Sequence, residues 1–474
     1  MTDRAFAKSI ASGKEVAMNI QPKVVIIGAG FGGLAAAKAL RKAQVEVFLI
    51  DQNNYHTFQP LLYQVATAGL DMGDIAHQVR GIFRRQRNLR FRQGTVTAID
   101  QQEKRVLLTD GAIPFDHLII ATGSVYHDLG IPGVKEHAFV LKGLGEAANL
   151  RSHILRQFER ASADPALIEQ GVLNFVIVGA GPTGVEMAGA MSELLKRVLP
   201  GDYPELDLSR ARVILLEASD KALPSYHPRS QRYAEQTLRN RGVELRLDTT
   251  VTRVSSQGLE LANGDSIPSQ TLIWAAGIRG HPLAETLEVA LEHGKRVRVE
   301  TDLSLPGRPD IAVIGDMAGA RDDDGNLYPQ VAQVAIQQGK HAARQLQRRL
   351  QERPTEAFRY FDRGSMAIIG RNAGVAELSR RLGGLRLRGF PGWLAWLFIH
   401  LIYLPGHQNR FHALSNWAYN YLTYDRHARL ITDMLPHPTP VPAGTTDTFP
   451  ATNTTSHPSN GERSYRTNIT GTSA

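Results

Sequence analysis

The chain has 474 residues, of which 42% are hydrophobic, and it contains no cysteine. This length predicts two or three domains with sizeable cores. Because redox-active disulfides and most zinc and iron–sulfur centres need thiolates, the composition excludes Cys-based redox catalysis and Cys-ligated metal sites. The 16 histidines show no ligand spacing, so we predict no metal.

The formal net charge is +8. Much of the excess lies in residues 80–92 and 344–353, which we interpret as arginine-rich helices. Aromatic residues do not interleave with a basic stripe, so we predict no nucleic acid partner. The charge favours anionic lipid instead.

The two ends of the chain differ in composition from the rest. Residues 1–22 carry scattered charges and no long apolar core. We therefore predict an N-terminal extension that is not a secretory signal, and a cytoplasmic enzyme body. Residues 436–474 are rich in Pro, Thr, Ser and Asn, which predicts a disordered tail.

A first glycine fingerprint follows the β-branched run at residues 24–27 and supplies Gly28, Gly30 and Gly33 at the start of a helical pattern. Such a turn presents bare backbone N–H groups and a helix N-terminus to a pyrophosphate. The next predicted strand ends in Asp51, about 20 residues on, where a carboxylate can accept the hydroxyls of an adenosine ribose. The alternative is an ordinary tight turn followed by a solvated acid.

A second fingerprint follows residues 175–178 and supplies Gly179, Gly181 and Gly184. Its acidic partner is Glu217, and a polar insert lengthens the intervening crossover. A free carboxylate would repel a 2′-phosphate, so Glu217 favours NADH over NADPH. Two copies in matching context predict two dinucleotides, a flavin beside a nicotinamide.

Each half also contains a buried strand that runs into small residues. These are Ala121, Thr122 and Gly123 in the first half and Gly277 in the second, and a further strand ends in Asp316. The order implies that the second nucleotide-binding unit is inserted into the first. We predict an α/β fold with two Rossmann-like dinucleotide-binding domains: an FAD-binding domain at 23–148 and 297–355, and an NADH-binding domain at 149–296.

Two segments between these strands are candidates for the reaction site. An aromatic-rich loop at residues 53–64 could close over a flavin ring, or be a plain connection. A predicted helix after Asp316 carries Ala332, Gln333 and Gln337 on one face. Its amides could contact a flavin or an electron acceptor; alternatively, the helix packs through alanines and its glutamines are solvated.

Residues 356–435 are predicted to form a C-terminal α+β membrane-association region. The apolar run at 393–404 is too short to span a bilayer, which takes about 20 residues. A second segment, 409–430, mixes aromatic residues with arginines, as expected of a helix among lipid headgroups. The alternative is a pair of buried or dimer-forming helices.

Over residues 23 to 432 the chain resembles the type II NADH:quinone oxidoreductases, which do not pump protons. The resemblance lies in residues 56–64, 181–186, 315–316 and 332–338 and in the aromatic helices. It implies FAD on the first glycine turn and NADH on the second. The implied cofactor-binding residues are Gly28, Gly30, Gly33, Asp51, Gln64, Ala121, Thr122, Gly123, Asp316 and Ala332 for FAD, and Gly179, Gly181, Gly184, Glu217 and Gly277 for NADH.

In this family the nicotinamide passes a hydride to the flavin N5, and two electrons then go to a membrane quinone. The resemblance implies that Gln333 and Gln337 contact the quinone and that Glu186 assists proton delivery; alternatively, Glu186 is an acid stabilised by a helix dipole. Arg363 stands where the family often has lysine, so no role that needs lysine is carried over.

The resemblance also implies peripheral attachment to the bilayer surface, on the cytoplasmic face of the cell membrane, and leaves a homodimer open. Two rival functions remain: a soluble NADH-dependent reductase of a small iron–sulfur protein, and a flavin-bearing redox sensor or binding protein.

Overall fold

The computed structural model describes residues 21–432. The predictions for residues 1–20 and for the tail lie outside these described residues.

The described part of the chain alternates strands and helices. In chain order the strands are β1 (Lys23–Ile27), β2 (Glu46–Asp51), β3 (Tyr55–Thr57), β4 (Ala76–Gln78), β5 (Leu89–Gln93), β6 (Val96–Asp100), β7 (Arg105–Leu108), β8 (Gly111–Pro114), β9 (His117–Ile120), β10 (Ser124–Tyr126), β11 (Ala138–Val140), β12 (Asn174–Val178), β13 (Arg212–Leu216), β14 (Val243–Arg246), β15 (Val251–Ser255), β16 (Gly258–Leu261), β17 (Ser266–Pro268), β18 (Thr271–Trp274), β19 (Ile278–Gly280), β20 (Leu291–Glu292), β21 (Arg296–Val297), β22 (Ser304–Leu305), β23 (Arg308–Val313), β24 (Ser365–Ile368), β25 (Gly374–Glu377) and β26 (Arg386–Gly389). The helices are α1 (Phe31–Ala39), α2 (Leu62–Ala66), α3 (Met72–Ile75), α4 (Val79–Phe83), α5 (Val134–His137), α6 (Leu144–Ala163), α7 (Pro182–Glu193), α8 (Leu199–Asp202), α9 (Pro228–Asn240), α10 (Ala332–Leu350), α11 (Phe390–Tyr403) and α12 (His407–Thr423).

The first large sheet has the strand order β22-β23-β9-β1-β2-β5. Its five longer strands are parallel, and the short β22 is an antiparallel edge. The central strand β1 is an almost unbroken run of Val and Ile, as expected where helices cover both faces. The chain leaves this sheet after β9 and returns to it with β22 and β23.

The second sheet, β11-β18-β12-β13-β14, is parallel throughout and repeats the plan of the first. In both sheets a central strand ends in a glycine turn, and the next strand lies beside it. The chain passes from the first sheet to the second and later back again. The short strands β10 and β19 lie in these two connecting segments and pair with each other. The predicted boundary at residue 149 falls inside α6, and β11 lies before it, so the second unit begins earlier than predicted.

The prediction of an arginine-rich helix at residues 80–92 is wrong. This segment contains four of the five residues of the short helix α4, then a turn and most of the strand β5. Phe91 points inward from β5 and is buried, and the guanidinium group of Arg80 stacks over its ring at 5.2 Å. Arg90 and Arg92 alternate with the buried Phe91 along β5, whereas Arg84, Arg85 and Arg87 are exposed in the turn before it.

The C-terminal region consists of the antiparallel sheet β24-β25-β26 and the helices α11 and α12. The sequence pattern at residues 360–377 predicts two short strands around Gly370, which correspond to β24 and β25; β26 was not predicted. Trp396 of α11 is fully buried, whereas residues at four-residue spacing on the opposite face are exposed. Between residues 21 and 432, no helix is long and apolar enough to cross a membrane.

Asn409, near the start of α12, attaches this helix to the segment around α3. Its Nδ2 donates to the carbonyl oxygens of Gly73 (2.8 Å), Asp74 (3.1 Å) and Ala76 (2.8 Å), and its Oδ1 lies 3.1 Å from Nδ1 of His77. Because Asn409 is buried, water cannot replace these partners without rearrangement.

We predict that Asn409→Ala lowers the free energy of unfolding by about 2–3 kcal/mol, because it leaves buried carbonyl groups unpaired. It should also speed proteolytic cleavage within α12. Both are measured on the flavin-loaded protein by denaturant titration and limited proteolysis. The exposed neighbour Gln408→Ala is the control, and equal behaviour of the two variants would contradict the anchoring role.

Candidate functional site

The first glycine turn is held in shape by close backbone contacts. Gly28 has φ of 101°, and a Cβ there would overlap the carbonyl oxygen of Ala121 at the end of β9. A Cβ on Gly33 would overlap the carbonyl oxygen of Gly28, so α1 begins directly against the turn. At Gly30 a Cβ would meet nothing within 4 Å. The turn therefore has a packed side and an open side.

The second turn repeats this geometry. Gly179 also has φ of 101°, and a Cβ there would lie 3.0 Å from the carbonyl carbon of Ala275, after β18. A Cβ on Gly184 would overlap the carbonyl oxygen of Gly179, while Gly181 is open. Both turns fit a dinucleotide, since the middle glycine leaves backbone and helix N-terminus accessible to a pyrophosphate.

The acidic residues at the ends of β2 and β13 are bonded to these turns. Asp51 Oδ2 accepts from the backbone N–H of Ala29 (2.6 Å), and Glu217 Oε2 accepts from that of Ala180 (2.7 Å). Burial raises the pKa of Asp51, and backbone hydrogen bonds oppose the rise. Neither acid is merely a solvated strand end, because each fixes the middle of its glycine turn.

A cleft of about 2230 Å³ runs from the first turn to α11. It is large enough for an extended dinucleotide and a second reactant. The predicted site residues that line it are Gly28, Gly30, Asp51, Ala121, Thr122, Gly123, Glu186, Gly277, Asp316, Ala332 and Gln333.

The remaining predicted residues do not line this cleft. Gly33 and Gly184 serve helix packing at their turns. Gly179, Gly181 and Glu217 form the second turn, outside the cleft lining. Of the residues predicted to bind NADH, Gly277 lines the cleft, and its φ is 76°.

Two predicted glutamines use their amides within the protein, and their contacts with FAD and quinone stay predictions. Gln64 Nε2 donates to the Tyr63 hydroxyl (2.9 Å), and its Oε1 accepts from Trp417 Nε1 (2.8 Å), so its amide joins α2 to α12. Gln337 Nε2 donates to the carbonyl oxygen of Phe361 (2.9 Å), and its Oε1 accepts from the N–H of the same residue (2.9 Å). Both amides are used within the protein, and neither residue lines the cleft.

Gln333 differs from these two because it keeps an unused atom. Its Nε2 donates to the carbonyl oxygen of Gly364 (3.0 Å), while its buried Oε1 has no partner among the described residues. An unpaired buried acceptor is costly unless a ligand or water completes it. Gln333 is therefore the best-supported contact for a reactant on α10.

Asp316 is positioned by residues that the sequence analysis missed. Its Oδ2 accepts from the Ser124 hydroxyl (2.7 Å), which in turn accepts from Lys142 Nζ (3.0 Å). Burial lowers the pKa of Lys142, and the nearby charge of Asp316 opposes this. The sequence alone could not indicate this series of hydrogen bonds, because Ser124 and Asp316 are 192 residues apart.

Two further amides hold the backbone of the Asp316 turn. Gln338 is fully buried, and its Oε1 accepts from the N–H of Gly315 (2.6 Å). Gln330 Nε2 donates to the carbonyl oxygen of Asp316 (2.8 Å). Gln330 and Gln338 thus hold the Asp316 turn, and both Gln330 and Gln333 line the cleft.

Glu186 lies in the second turn of α7 and is buried. Its Oε1 accepts from Trp396 Nε1 (3.0 Å) and from the N–H of Ile368 (3.3 Å). Burial raises the pKa of Glu186 to about 8. The carboxyl group is therefore mostly protonated at neutral pH, and its partners come from the C-terminal region.

Comparison with known proteins decides the family. A family model described as pyridine nucleotide-disulphide oxidoreductase matches residues 22–339. The type II NADH:quinone oxidoreductase Ndh of Mycobacterium tuberculosis is 40% identical over 428 residues, which cover 87% of this chain and 90% of that protein. The chain belongs to the type II NADH:quinone oxidoreductases. The Staphylococcus aureus protein of this name is 32% identical and covers 74% of the chain.

The fold agrees with that of a distant structure. NDH2 from Plasmodium falciparum, solved in complex with NADH, superposes with a TM-score of 0.78 at 19% identity, covering 87% of this chain and all of that one. Membership of the type II NADH:quinone oxidoreductases confirms the predicted fold class, the flavin-dependent oxidoreductase activity and the use of FAD and NADH. The two rival functions are not favoured by these relatives.

The geometry of the first turn gives a prediction that separates folding from flavin binding. Gly30→Ala should leave the fold intact, because its backbone is extended and a Cβ meets no atom within 4 Å. The methyl group would instead occupy the open side of the turn and lower flavin occupancy by about tenfold. Flavin absorbance per protein measures occupancy, and circular dichroism measures folding.

Gly33→Ala is the matched contrast, since its methyl would overlap the Gly28 carbonyl and should reduce the yield of folded protein. Wild-type flavin content in Gly30→Ala would contradict the assignment of the open side.

Proposed function

We propose that the protein oxidises NADH at the second glycine turn and reduces a membrane quinone in the large cleft, beside FAD held by the first turn. The supporting observation is that one cleft joins the first glycine turn, Glu186, Gln333 and the apolar surface of α11. When bound, FAD accepts the hydride of NADH and supplies two electrons to quinone. The balanced reaction is NADH + H⁺ + quinone → NAD⁺ + quinol.

The residues that would hold FAD are those whose backbone or carboxylate faces the cleft. The first turn contributes Gly30 and Asp51, the end of β9 contributes residues 121–123, and Asp316 closes the far side. Lys142 and Ser124 orient the Asp316 carboxylate. For NADH, Glu217 would accept ribose hydroxyls and disfavour a 2′-phosphate.

The quinone would enter through the apolar end of the cleft. Gln333 lines the cleft and could donate its second amide hydrogen to a quinone oxygen. The residues at this end of the cleft are Leu378, Leu382, Leu387, Ala395, Phe398, Ile399 and Tyr403.

Glu186 would supply a proton to the reduced quinone. A carboxyl group with a pKa of about 8 is protonated at neutral pH and can still release its proton, which suits a general acid. Its Oε1 is held by Trp396 and Ile368, and no hydrogen bond reaches Oε2 among residues 21–432. Oε2 is therefore the atom assigned to carry the proton.

The exposed faces of α11 and α12 would lie in the lipid interface. On α11 the exposed residues Phe390, Leu394, Phe398 and Ile402 recur every four positions, and Phe398 is 62% exposed. On α12, Phe411 is 69% and Leu422 80% exposed. Apolar faces of this size at a helix surface mark a membrane or protein interface. Attachment at the cytoplasmic face and a homodimer stay predictions.

We predict that Gln333→Leu slows the reoxidation of reduced flavin by a short-chain quinone at least about tenfold, because the polar contact to the ligand is lost. Flavin reduction by NADH should stay within about twofold of wild type. Anaerobic stopped-flow absorbance measures the two half-reactions separately. Gln337→Leu is the matched control one helical turn away, and it should spare both. Equal loss in both half-reactions for Gln333→Leu would contradict the quinone assignment.

The double variant Phe411→Ser/Leu422→Ser should weaken binding to phosphatidylglycerol vesicles by about tenfold or more, since each apolar side chain contributes roughly 1.5–3 kcal/mol when buried. The double variant should keep the wild-type rate of turnover with a water-soluble quinone. Vesicle co-sedimentation measures binding, and Leu350→Ser, exposed at the end of α10, is the control. Unchanged vesicle binding together with a changed oligomeric state would favour the dimer alternative.

A further inference from the structure

The loop between β13 and α9 places Tyr226 in the wall of the cleft. Tyr226 is only 6% exposed, and it lines the cleft together with Ser225 of the same loop. Among residues 21–432, no hydrogen bond reaches the Tyr226 hydroxyl group. A buried tyrosine hydroxyl normally has a partner. We therefore expect a group that enters the cleft to supply one.

This loop is attached to the second glycine turn. The N–H of Leu223 donates to the carbonyl oxygen of Ala180 (2.8 Å), in the middle of that turn. Leu223 has φ of 52°, a left-handed conformation that residues other than glycine rarely adopt. Such a conformation persists only where the surrounding contacts impose it, and it is frequent at ligand sites. The position of the loop is therefore tied to the turn assigned to NADH.

A buried amide holds the other side of the loop. This amide belongs to Gln231 on α9. Its Nε2 lies within hydrogen-bonding distance of three carbonyl oxygens of the loop, those of Leu223 (3.2 Å), Pro224 (3.2 Å) and Tyr226 (2.8 Å). The N–H of Tyr226 donates in turn to the carbonyl oxygen of Leu223 (2.9 Å). A side chain on a backbone held in this way is preorganised, so a ligand does not have to order it.

Other residues of the second nucleotide-binding unit line the same cleft. Pro182 and Thr183 begin α7 directly after the second glycine turn, and Gly277 follows β18. A nicotinamide whose pyrophosphate lies on the second turn must enter the cleft past these residues to reach a flavin on the first turn. The carboxamide group of a nicotinamide carries one carbonyl acceptor and one amide donor, and a tyrosine hydroxyl can pair with either. Burial raises the pKa of Tyr226, so the hydroxyl keeps its proton at neutral pH.

We propose that the Tyr226 hydroxyl group hydrogen-bonds to the carboxamide of NADH and thereby orients the nicotinamide ring for hydride transfer. The inference rests on the proposed function, because it assumes that NADH binds at the second turn and reacts in the cleft. The contact makes and breaks no covalent bond, and Tyr226 keeps its proton throughout. Its effect is on the geometry from which the hydride leaves the nicotinamide.

The test removes the hydroxyl oxygen and keeps the ring. Tyr226→Phe is compared with Tyr233→Phe, because Tyr233 lies on α9, packs against the same hydrophobic core and is outside the cleft lining. Two ligands that cannot reduce the flavin are titrated into the FAD-loaded protein. Tetrahydro-NADH keeps the carboxamide, whereas ADP-ribose lacks the nicotinamide. Isothermal titration calorimetry gives both dissociation constants, and flavin absorbance per protein shows that each variant is folded and loaded.

Tyr226→Phe should weaken the binding of tetrahydro-NADH about five- to tenfold, because the carboxamide loses a preorganised partner. The affinity for ADP-ribose should stay within about twofold of wild type, and Tyr233→Phe should leave both affinities in that range. In anaerobic stopped-flow measurements, Tyr226→Phe should slow the limiting rate of flavin reduction by NADH about tenfold and spare reoxidation by quinone.

The outcomes separate this inference from the proposed function. Unchanged affinity of Tyr226→Phe for tetrahydro-NADH would overturn the contact, and the proposed function would stand if NADH still reduces the flavin and quinone reoxidises it. Equal weakening of both ligands would also overturn it, because the substitution would then act on the second turn itself. If NADH cannot reduce the flavin of the wild-type protein, the proposed function is wrong, and the two titrations still decide the contact.

Discussion

The hydrogen bond between the Trp396 indole and the Glu186 carboxyl group joins the two parts of the molecule on which the cleft depends. One partner belongs to the helix that begins at the second glycine turn, and the other to the first C-terminal helix. Trp396 is fully buried and stacks on His400 with ring centroids 3.8 Å apart. Without this packing, α11 would no longer form one side of the cleft. Glu186 would then be exposed to solvent, and its pKa would return toward the usual value of a carboxyl group.

The same burial sets the charge of the surrounding groups. Desolvation lowers the pKa of both His56 and His400 to about 4, so both imidazoles are neutral at physiological pH. Both line the cleft, as does the predominantly protonated Glu186. This part of the cleft therefore presents hydrogen-bonding groups with little net charge, which suits a neutral quinone headgroup beside apolar side chains.

The features that could be predicted from the sequence are those fixed by local backbone geometry. The glycine turns follow from a strand, a tight turn and a helix in immediate succession. Asp51 and Glu217 accept from the backbone of these turns, and their contacts with ribose stay predictions. The internal partners of Gln64 and Gln337 were not predicted, because neither the family resemblance nor helical spacing identifies the distant groups that meet an amide. Lys142 and Ser124 were missed for a related reason, since their partner Asp316 is brought near only by the return of the chain to the first sheet. The domain boundary predicted at residue 149 falls inside α6, a helix whose extent the sequence analysis did not predict.

The helix α11 presents two surfaces along a single length of chain. Leu394 and Ile402 are exposed, Ala395 and Ile399 line the cleft, and Phe398 is both exposed and part of the cleft lining. A quinone headgroup can thus pass from lipid to cleft along one helix without crossing bulk water. The concentration that determines occupancy of the site is then the mole fraction of quinone in the bilayer. On the proposed attachment of α11 to the bilayer, membrane composition, rather than total quinone per volume of suspension, would set how strongly the enzyme is saturated.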